Sequence, residues 1–451
     1  MQSRREFLAA AGGVSLGFVG VSKLIAGRAV ARKSSSPYGP LSPDPKGLLD
    51  LPAGFTYTAL SRVGQTMDDG LRVPGKADGM AAFDAGNGLT VLVRNHEVST
   101  ADPLNGAFGP SNALLDHVDR DDIYDAGADG EPSYGGTTTL VYNTKTGKLE
   151  RQYLSLAGTI RNCAGGPTPW GSWLTCEEDV TTKGAQGRAK DHGYVFEVPA
   201  TVEGGLAKPK PITGMGRFNH EAVAIDPRTG VVYLTEDRGD GLLYRYVPNT
   251  REKMHDGGRL EALAIKDRPS FDSRNWRQTT VEICDELDAE WIALEDIDAP
   301  ADDLRQRGFD GGATRFARGE GIFWGNEGVY VVCTSGGPAR KGQVWKLSPA
   351  TEGDKADRIK LFVESHDGDV LDMPDNATVA PNGDLFLCED GSGEQFVVGV
   401  TPEGELFKFA RNAANTSEFA GACFSPDGST MFVNVQHTGE TIAITGPWRN
   451  A

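Results

Sequence analysis

Glu221 Ala222 Val223 Ala224 Ile225 Asp226 Pro227 Arg228 Thr229 Gly230 Val231 Val232 Tyr233 Leu234 Thr235 Glu236 Asp237 is the stretch that decides the fold. Two short apolar runs rich in β-branched and aromatic residues flank a turn of Asp, Pro, Thr and Gly, which reads as a β-hairpin ending in acidic residues. The phrase recurs along the chain. One copy runs from Glu320 through Ile322 Phe323 Trp324, turns at Gly325 Asn326 Glu327 Gly328 and continues to Cys333. Another opens at Asp375 Asn376, turns at Pro381 Asn382 Gly383 and ends in Cys388 Glu389 Asp390. A fourth starts at Phe419 Ala420, turns at Pro426 Asp427 Gly428 and ends in Val435 Gln436. Two looser copies come earlier, from Asp78 Gly79 Met80 to His96 Glu97, and from Thr168 to Cys176 Glu177 Glu178.

Outer apolar stretches follow several hairpins, as in Gly241–Tyr246 and Gly342–Leu347. Units of about four strands that cannot bury their own faces stack around a channel, so the expected fold is all-β, a six-bladed β-propeller with long rim insertions. A pair of β-sandwiches has less reason to repeat one hairpin phrase. Residues 32–451 read as a single propeller domain. Its insertions, near 98–134 and 247–310, are rich in Asp, Gly, Pro and Arg and are expected to cover one rim rather than enter the core. Helices are expected over residues 289–298 and near 301–308.

The chain has 451 residues, with Lys plus Arg 45 against Asp plus Glu 63, a formal charge of −18. Such a balance argues against a nucleic-acid partner, which needs clustered cations to displace phosphate counterions. Gly 58 and Pro 25 favour many tight turns, and 39% hydrophobic residues suffice for a sizeable core. Residues 1–31 read as a twin-arginine signal peptide: Arg4 and Arg5, Phe7 and Leu8, a Gly-rich apolar stretch and a closing Ala29 Val30 Ala31. The expectation is export by the twin-arginine machinery to the periplasm or beyond, with no stable membrane span in the mature chain.

Acidic and amide residues gather where the repeated strands begin or end: Glu97, Glu177, Glu178, Glu221, Glu236, Asp237, Glu320, Asn376, Glu389 and Asp390. Inner strands of a propeller meet at its axis, so these carboxylates converge and repel unless cations neutralise them. Ca²⁺, Mg²⁺ or Fe³⁺ suits an all-oxygen set. Cys176, Cys333 and Cys388 share one strand position and read as small buried residues. Cys163 stands apart in Arg161 Asn162 Cys163 Ala164 Gly165 Gly166, either a buried thiol or a thiolate ligand beside the acids. His96 and His220 precede Glu97 and Glu221 and point the other way on their strands, as packed residues or donors. Arg318, two residues before Glu320, and Arg161 offer planar forks for a phosphate or for a salt bridge to the axial acids.

These phrases together resemble the PhoX-type alkaline phosphatases: Arg161–Gly166 with Thr168 Pro169 Trp170 Gly171, Leu174–Glu178, Asn219 His220 Glu221, Tyr233–Asp237, Arg318–Gly321, Pro374 Asp375 Asn376, Leu387–Asp390, and Phe424–Gly428 with Gly446 Pro447 Trp448. The resemblance covers most of the chain beyond the leader. It implies a twin-arginine-exported propeller with a cluster of two Fe³⁺ and two or three Ca²⁺ at one end of the channel, hydrolysing a small-molecule phosphomonoester. Cys163, Glu221 and Glu320 would then be iron ligands, Arg318 and Arg161 would serve the phosphate, and Glu97, Glu178, Glu236, Asp237 and Glu389 would serve calcium. The competing readings are a calcium-dependent propeller esterase or lactonase and a non-catalytic binding propeller.

Overall fold

The computed structural model describes residues 32–325, 328–351 and 356–449, so the leader expected over 1–31 lies outside the described residues. The chain forms an all-β, propeller-like fold. Each hairpin phrase of the sequence becomes the inner two strands of a unit, and the outer apolar stretches complete it. The first unit is Ala77–Asp84, Leu89–His96, Gly135–Asn143 and Lys148–Thr159. The second is shorter, Asn162–Pro167, Ser172–Glu177 and Val195–Pro199.

The third runs His220–Ile225, Val232–Glu236, Leu243–Pro248 and Gly258–Ile265; the fourth is Gly319–Gly325, Gly328–Cys333, Gln343–Ser348 and Asp357–Glu364. The fifth comprises Pro374–Val379, Leu385–Glu389, Phe396–Val400 and Glu405–Asn412. The last takes Phe419–Phe424, Thr430–Val435 and Glu440–Thr445 from the C-terminal end and Thr56–Arg62 from the N-terminal end, antiparallel to Glu440–Thr445. First strands pack against first strands in chain order, and Phe419–Phe424 returns to Ala77–Asp84, so they line one axis.

Two expectations need correction. Residues 289–298 are not helical: Glu286–Ala293 is a strand that pairs with Gly258–Ile265 on one side and Asp357–Glu364 on the other, fusing the third and fourth units into one nine-stranded sheet. Ala, Glu and Leu favour a helix locally, but two open sheet edges outweigh that preference. For the same reason the stretch 247–310 is not merely rim cover, since it supplies two strands. The short helix Leu304–Asp310 lies about where one was expected. In the stretch 98–134, Val98, Ala107, Phe108, Leu115 and Ile123 build an apolar cluster of their own against Leu154 and Ala157.

The cores lie between adjacent sheets. Leu174 and Val195 of the second unit pack with Val223, Leu234 and Tyr244 of the third, each with essentially no exposure. Burying such a side chain contributes about 1.5–3 kcal/mol. Cys176, Cys333 and Cys388 are among these buried strand residues, and the cysteines form no disulfide. At the axis the backbones approach so closely that only glycine fits in places. A Cβ on Gly79 would lie 2.5 Å from Ala164 Cα, and one on Gly321 would lie 2.5 Å from the Asp375 carbonyl oxygen.

Candidate metal centre

One irregularity repeats in every unit and builds the site. Where the first strand meets the second, two residues on the inner strand lie opposite one on its partner, as between Ala77 and Met80, His220 and Val223, Gly319 and Ile322, and Pro374 and Ala377. The second and last units carry the same bulge at Asn162–Gly165 and Ala420–Cys423. A bulge re-aims a side chain. Its first residue is Asp78, Cys163, Glu221, Glu320 or Asp375 in five units and Gly421 in the last. Gly421 has φ +62°, and a Cβ there would lie 2.3 Å from the Asp78 carbonyl oxygen.

A second ring sits above the first. The residue after each second strand donates its N–H to the carbonyl before each first strand: Glu97 to Lys76 at 2.9 Å, Glu178 to Arg161 at 3.0 Å, Asp237 to Asn219 at 3.2 Å. Thr334 to Arg318, Asp390 to Met373 and Gln436 to Glu418 follow the same rule at 3.0, 2.9 and 3.2 Å. The last unit inserts one extra residue pair before this bond. Lys76, Arg161, Arg318 and Met373 hold φ between 48° and 52°, a left-handed conformation costly for residues with a Cβ and found mostly where function requires it.

Donor atoms converge in two overlapping groups, each within 4.8 Å: Cys163 with Glu178 and Glu221, and Glu221 with Glu320 and Asp375. Burial first, and then neighbouring carboxylates, push Glu221, Glu320, Glu178 and Asp78 well above the usual carboxylate range. Asp375 rises to about 8 from burial and Asp390, and burial with Glu221 raises the Cys163 thiol. Glu418 rises to about 11 through burial and its hydrogen bond with Asp390. The buried Asp78 Oδ1 has no hydrogen-bond partner. Crowded carboxylates and an orphaned oxygen fit a site built for cations.

Two guanidinium groups face this charge. Arg318 donates through Nε and Nη2 to the two oxygens of Asp237 at 2.7 and 2.9 Å and through Nη2 to Glu320 at 2.7 Å. Arg161 donates to Glu97 at 3.0 Å and to Glu178. Burial works against the charge of both, and the carboxylates outweigh it.

The expected residues therefore divide. Cys163, Glu97, Glu178, Glu221, Asp237, Glu320, Arg161 and Arg318 come together. Glu236 and Glu389 do not, because each stands one residue short of the upper ring and alternation turns it into its own sheet. Glu236 accepts from Tyr244 Oη at 2.7 Å and Leu242 N–H at 3.3 Å. Glu389 accepts from Asp372 N–H at 2.9 Å and Lys408 Nζ at 3.1 Å. Asp78, Asp375 and Glu418 join the site without having been singled out. An alignment of the hairpin copies on the acid-first pairs Asp78 Gly79, Glu221 Ala222, Glu320 Gly321 and Asp375 Asn376 carries the signal for the first two. His96 and His220 are packed, His96 against Gly75 O and Thr138 Oγ1, and His220 against Gly216 O and the Phe218 ring.

The family model for alkaline phosphatase PhoX matches residues 36–439. The chain belongs to that family. Phosphomonoester hydrolysis that depends on metal is the activity of this PhoX-family chain. Among solved structures it is similar to PhoX of Pseudomonas fluorescens in complex with vanadate, a transition-state analogue, at 19% identity over 92% of this chain and 98% of that one, TM-score 0.68. A looser likeness is to XC5397 of Xanthomonas campestris, a gluconolactonase, at 12% identity over 91% and 99%, TM-score 0.41. No functionally curated protein matches the chain in sequence. PhoX proteins are typically exported, and among the described residues no helix is long and apolar enough to cross a membrane.

One buried triad under the site should make stability depend on pH. His192 lies with Nδ1 2.6 Å from Glu177 Oε1 and Nε2 3.1 Å from Asp125 Oδ2, all fully buried. Burial alone lowers its pKa, yet Glu177 and Asp125 bring it up to about 9. A folded pKa above the unfolded value near 6.5 stabilises fully below pH 6.5, and that stabilisation is lost as pH rises through 9. The contribution is at most about 3 kcal/mol. Urea unfolding between pH 6 and 10 should show this decline in the native sequence and lose it in His192→Gln. An identical slope in both would rule out this triad as its origin.

Proposed function

We propose that the two axial rings hold iron and calcium at the end of a six-bladed propeller, and that the mouth above them is where phosphomonoesters are hydrolysed. The observation that carries this reading is the donor set: a buried thiol and buried carboxylates from different units, within reach of one another and too crowded to stay ionised alone. Cys163, Glu221 and Glu320 would hold iron. Asp78, Glu97, Glu178, Asp237 and Asp375 offer the remaining oxygens, which suit calcium. Bound iron and calcium would supply positive charge for the phosphate oxygens and ease deprotonation of the attacking water.

The protein's own groups perform the rest. Asp237 holds Arg318 through paired bonds, and with Glu320 engaged by a cation the Nη2 hydrogen that it now accepts would be free for a phosphate oxygen. Asp237 keeps the guanidinium oriented, which matters because planar donors act only when aligned. Arg161 stands in the same relation to Glu97 and Glu178. Below the rings the axis narrows to a cavity of about 130 Å³ lined by small and apolar residues such as Ala164, Ala222 and Ala422. That lining leaves the upper mouth as the polar approach for an anion.

The twin-arginine leader and release into the periplasm or beyond belong to the same proposal. The test is elemental analysis of protein expressed with its own leader, paired with turnover of p-nitrophenyl phosphate before and after chelation. Near-stoichiometric iron and activity lost on chelation are expected. A fully metallated sample without turnover would overturn the assignment, and calcium without iron would return the esterase reading.

A further inference from the structure

A pocket of about 500 Å³ opens at the mouth between the third and fourth units, lined by Asp272, Arg274, Trp276, Arg277, Thr280 and Arg340. Its residues come from the stretch 247–310 and the loop after Cys333. Two contacts tie it to the upper ring. Trp276 Nε1 donates to Ser335 O at 2.6 Å, one residue beyond Thr334, and Arg274 Nη1 donates to Gly239 O at 2.7 Å. Gly239 is two residues from Asp237, a chain reach of at most about 7 Å.

The pocket is preformed. Asn275 folds the loop by accepting from Thr280 N–H at 2.8 Å and donating to Val281 O at 2.8 Å, and it anchors the loop to Glu364 at 2.7 Å. Such prior ordering removes part of the entropy cost of binding. Trp276 lies under two guanidinium groups, Arg274 at 4.2 Å and Arg340 at 4.3 Å from its ring. Arg274 is neutralised by Asp272. Arg340 and Arg277 are exposed, and neither forms an ion pair among the described residues. Three arginines against one aspartate line the pocket, which makes it locally cationic in a chain of net charge −18.

We propose that this shelf is the leaving-group subsite, selecting phosphomonoesters whose organic part carries a planar ring and a second anionic group. The inference rests on the phosphatase reading above. The ring takes the place of the Arg340 guanidinium on Trp276, and Arg340 and Arg277 pair with the second anion while the scissile phosphate sits over the axial rings. Stacking and a planar bidentate fork supply the selectivity. The pocket volume lies in the usual range for a small-molecule site.

The test compares kcat/KM for adenosine 3′,5′-bisphosphate, which has ring and second phosphate, with that for glycerol 3-phosphate, which has neither. Metal-loaded native protein should prefer the bisphosphate at least about tenfold, and Arg277→Ala/Arg340→Ala should remove most of that ratio. Trp276→Ala should lower it through loss of stacking, whereas Trp276→Phe should keep part of it. Equal turnover of both esters by the native protein, or an unaltered ratio in the double variant, overturns the subsite and leaves the phosphatase reading standing. Absence of turnover with either ester overturns the phosphatase reading instead. Calorimetric binding of the bisphosphate, weakened in the double variant or not, then decides the shelf by itself.

Discussion

Glu221→Gln should lower kcat/KM at least about a thousandfold, equivalent to about 4 kcal/mol of lost transition-state stabilisation, with iron content falling in step. The size follows from position. Glu221 belongs to both converging groups, so it is the carboxylate through which the thiol side and the Glu320 side share charge. An amide keeps the shape but withdraws the negative charge, leaving two cation positions with weakened ligation at once. Its backbone lies in the bulge of a well-paired strand, so circular dichroism should change little, and the unfolding midpoint should fall only as far as the lost metal binding lowers it. Glu221→Asp, which keeps the charge and shortens the arm, should retain more metal than Glu221→Gln. Full activity or full iron in Glu221→Gln would refute the shared-ligand assignment.

Arg318→Ala should cost about a hundred- to a thousandfold in kcat/KM, mostly in kcat, and should weaken inhibition by vanadate by a similar factor. Arg318→Lys should recover little, since an ammonium group cannot reproduce the paired bonds to Asp237 and the reach toward the mouth. The readout that separates phosphate binding from mere support of the ring is metal content. Iron and calcium should remain near native levels in Arg318→Ala. If vanadate bound the variant as tightly as the native protein, Arg318 would be a structural counter-charge and nothing more.

How much of this could be read from the chain depends on the kind of signal. The hairpin phrase around Asp226–Gly230 repeats strongly enough to announce stacked β-units, and Cys163, Glu221 and Glu320 stand out by residue type within it. Glu236 and Glu389 were attractive for the same reason and are displaced, because the last paired residue of each second strand faces into the sheet and the next faces the axis. That boundary depends on bulges such as the one between His220 and Val223, and an added residue on one strand leaves no mark in an alternating pattern. Asp78 and Asp375 are single acids at unit openings, indistinguishable from solvent-facing turn residues until the copies are superposed. The strand Glu286–Ala293 is invisible for another reason: its stability comes from partners 28 and 72 residues away, as in Trp291 with Leu263 and Leu287 with Ile359.

The pairing of Thr56–Arg62 with Glu440–Thr445 makes the earliest and latest portions of the chain neighbours. The proposed ligands come from five units, so the full cage waits until most of the chain has folded. Docking of the two ends then closes the ring of first strands on which that cage rests. Whichever cellular space hosts that docking sets the ion supply from which the pocket is filled.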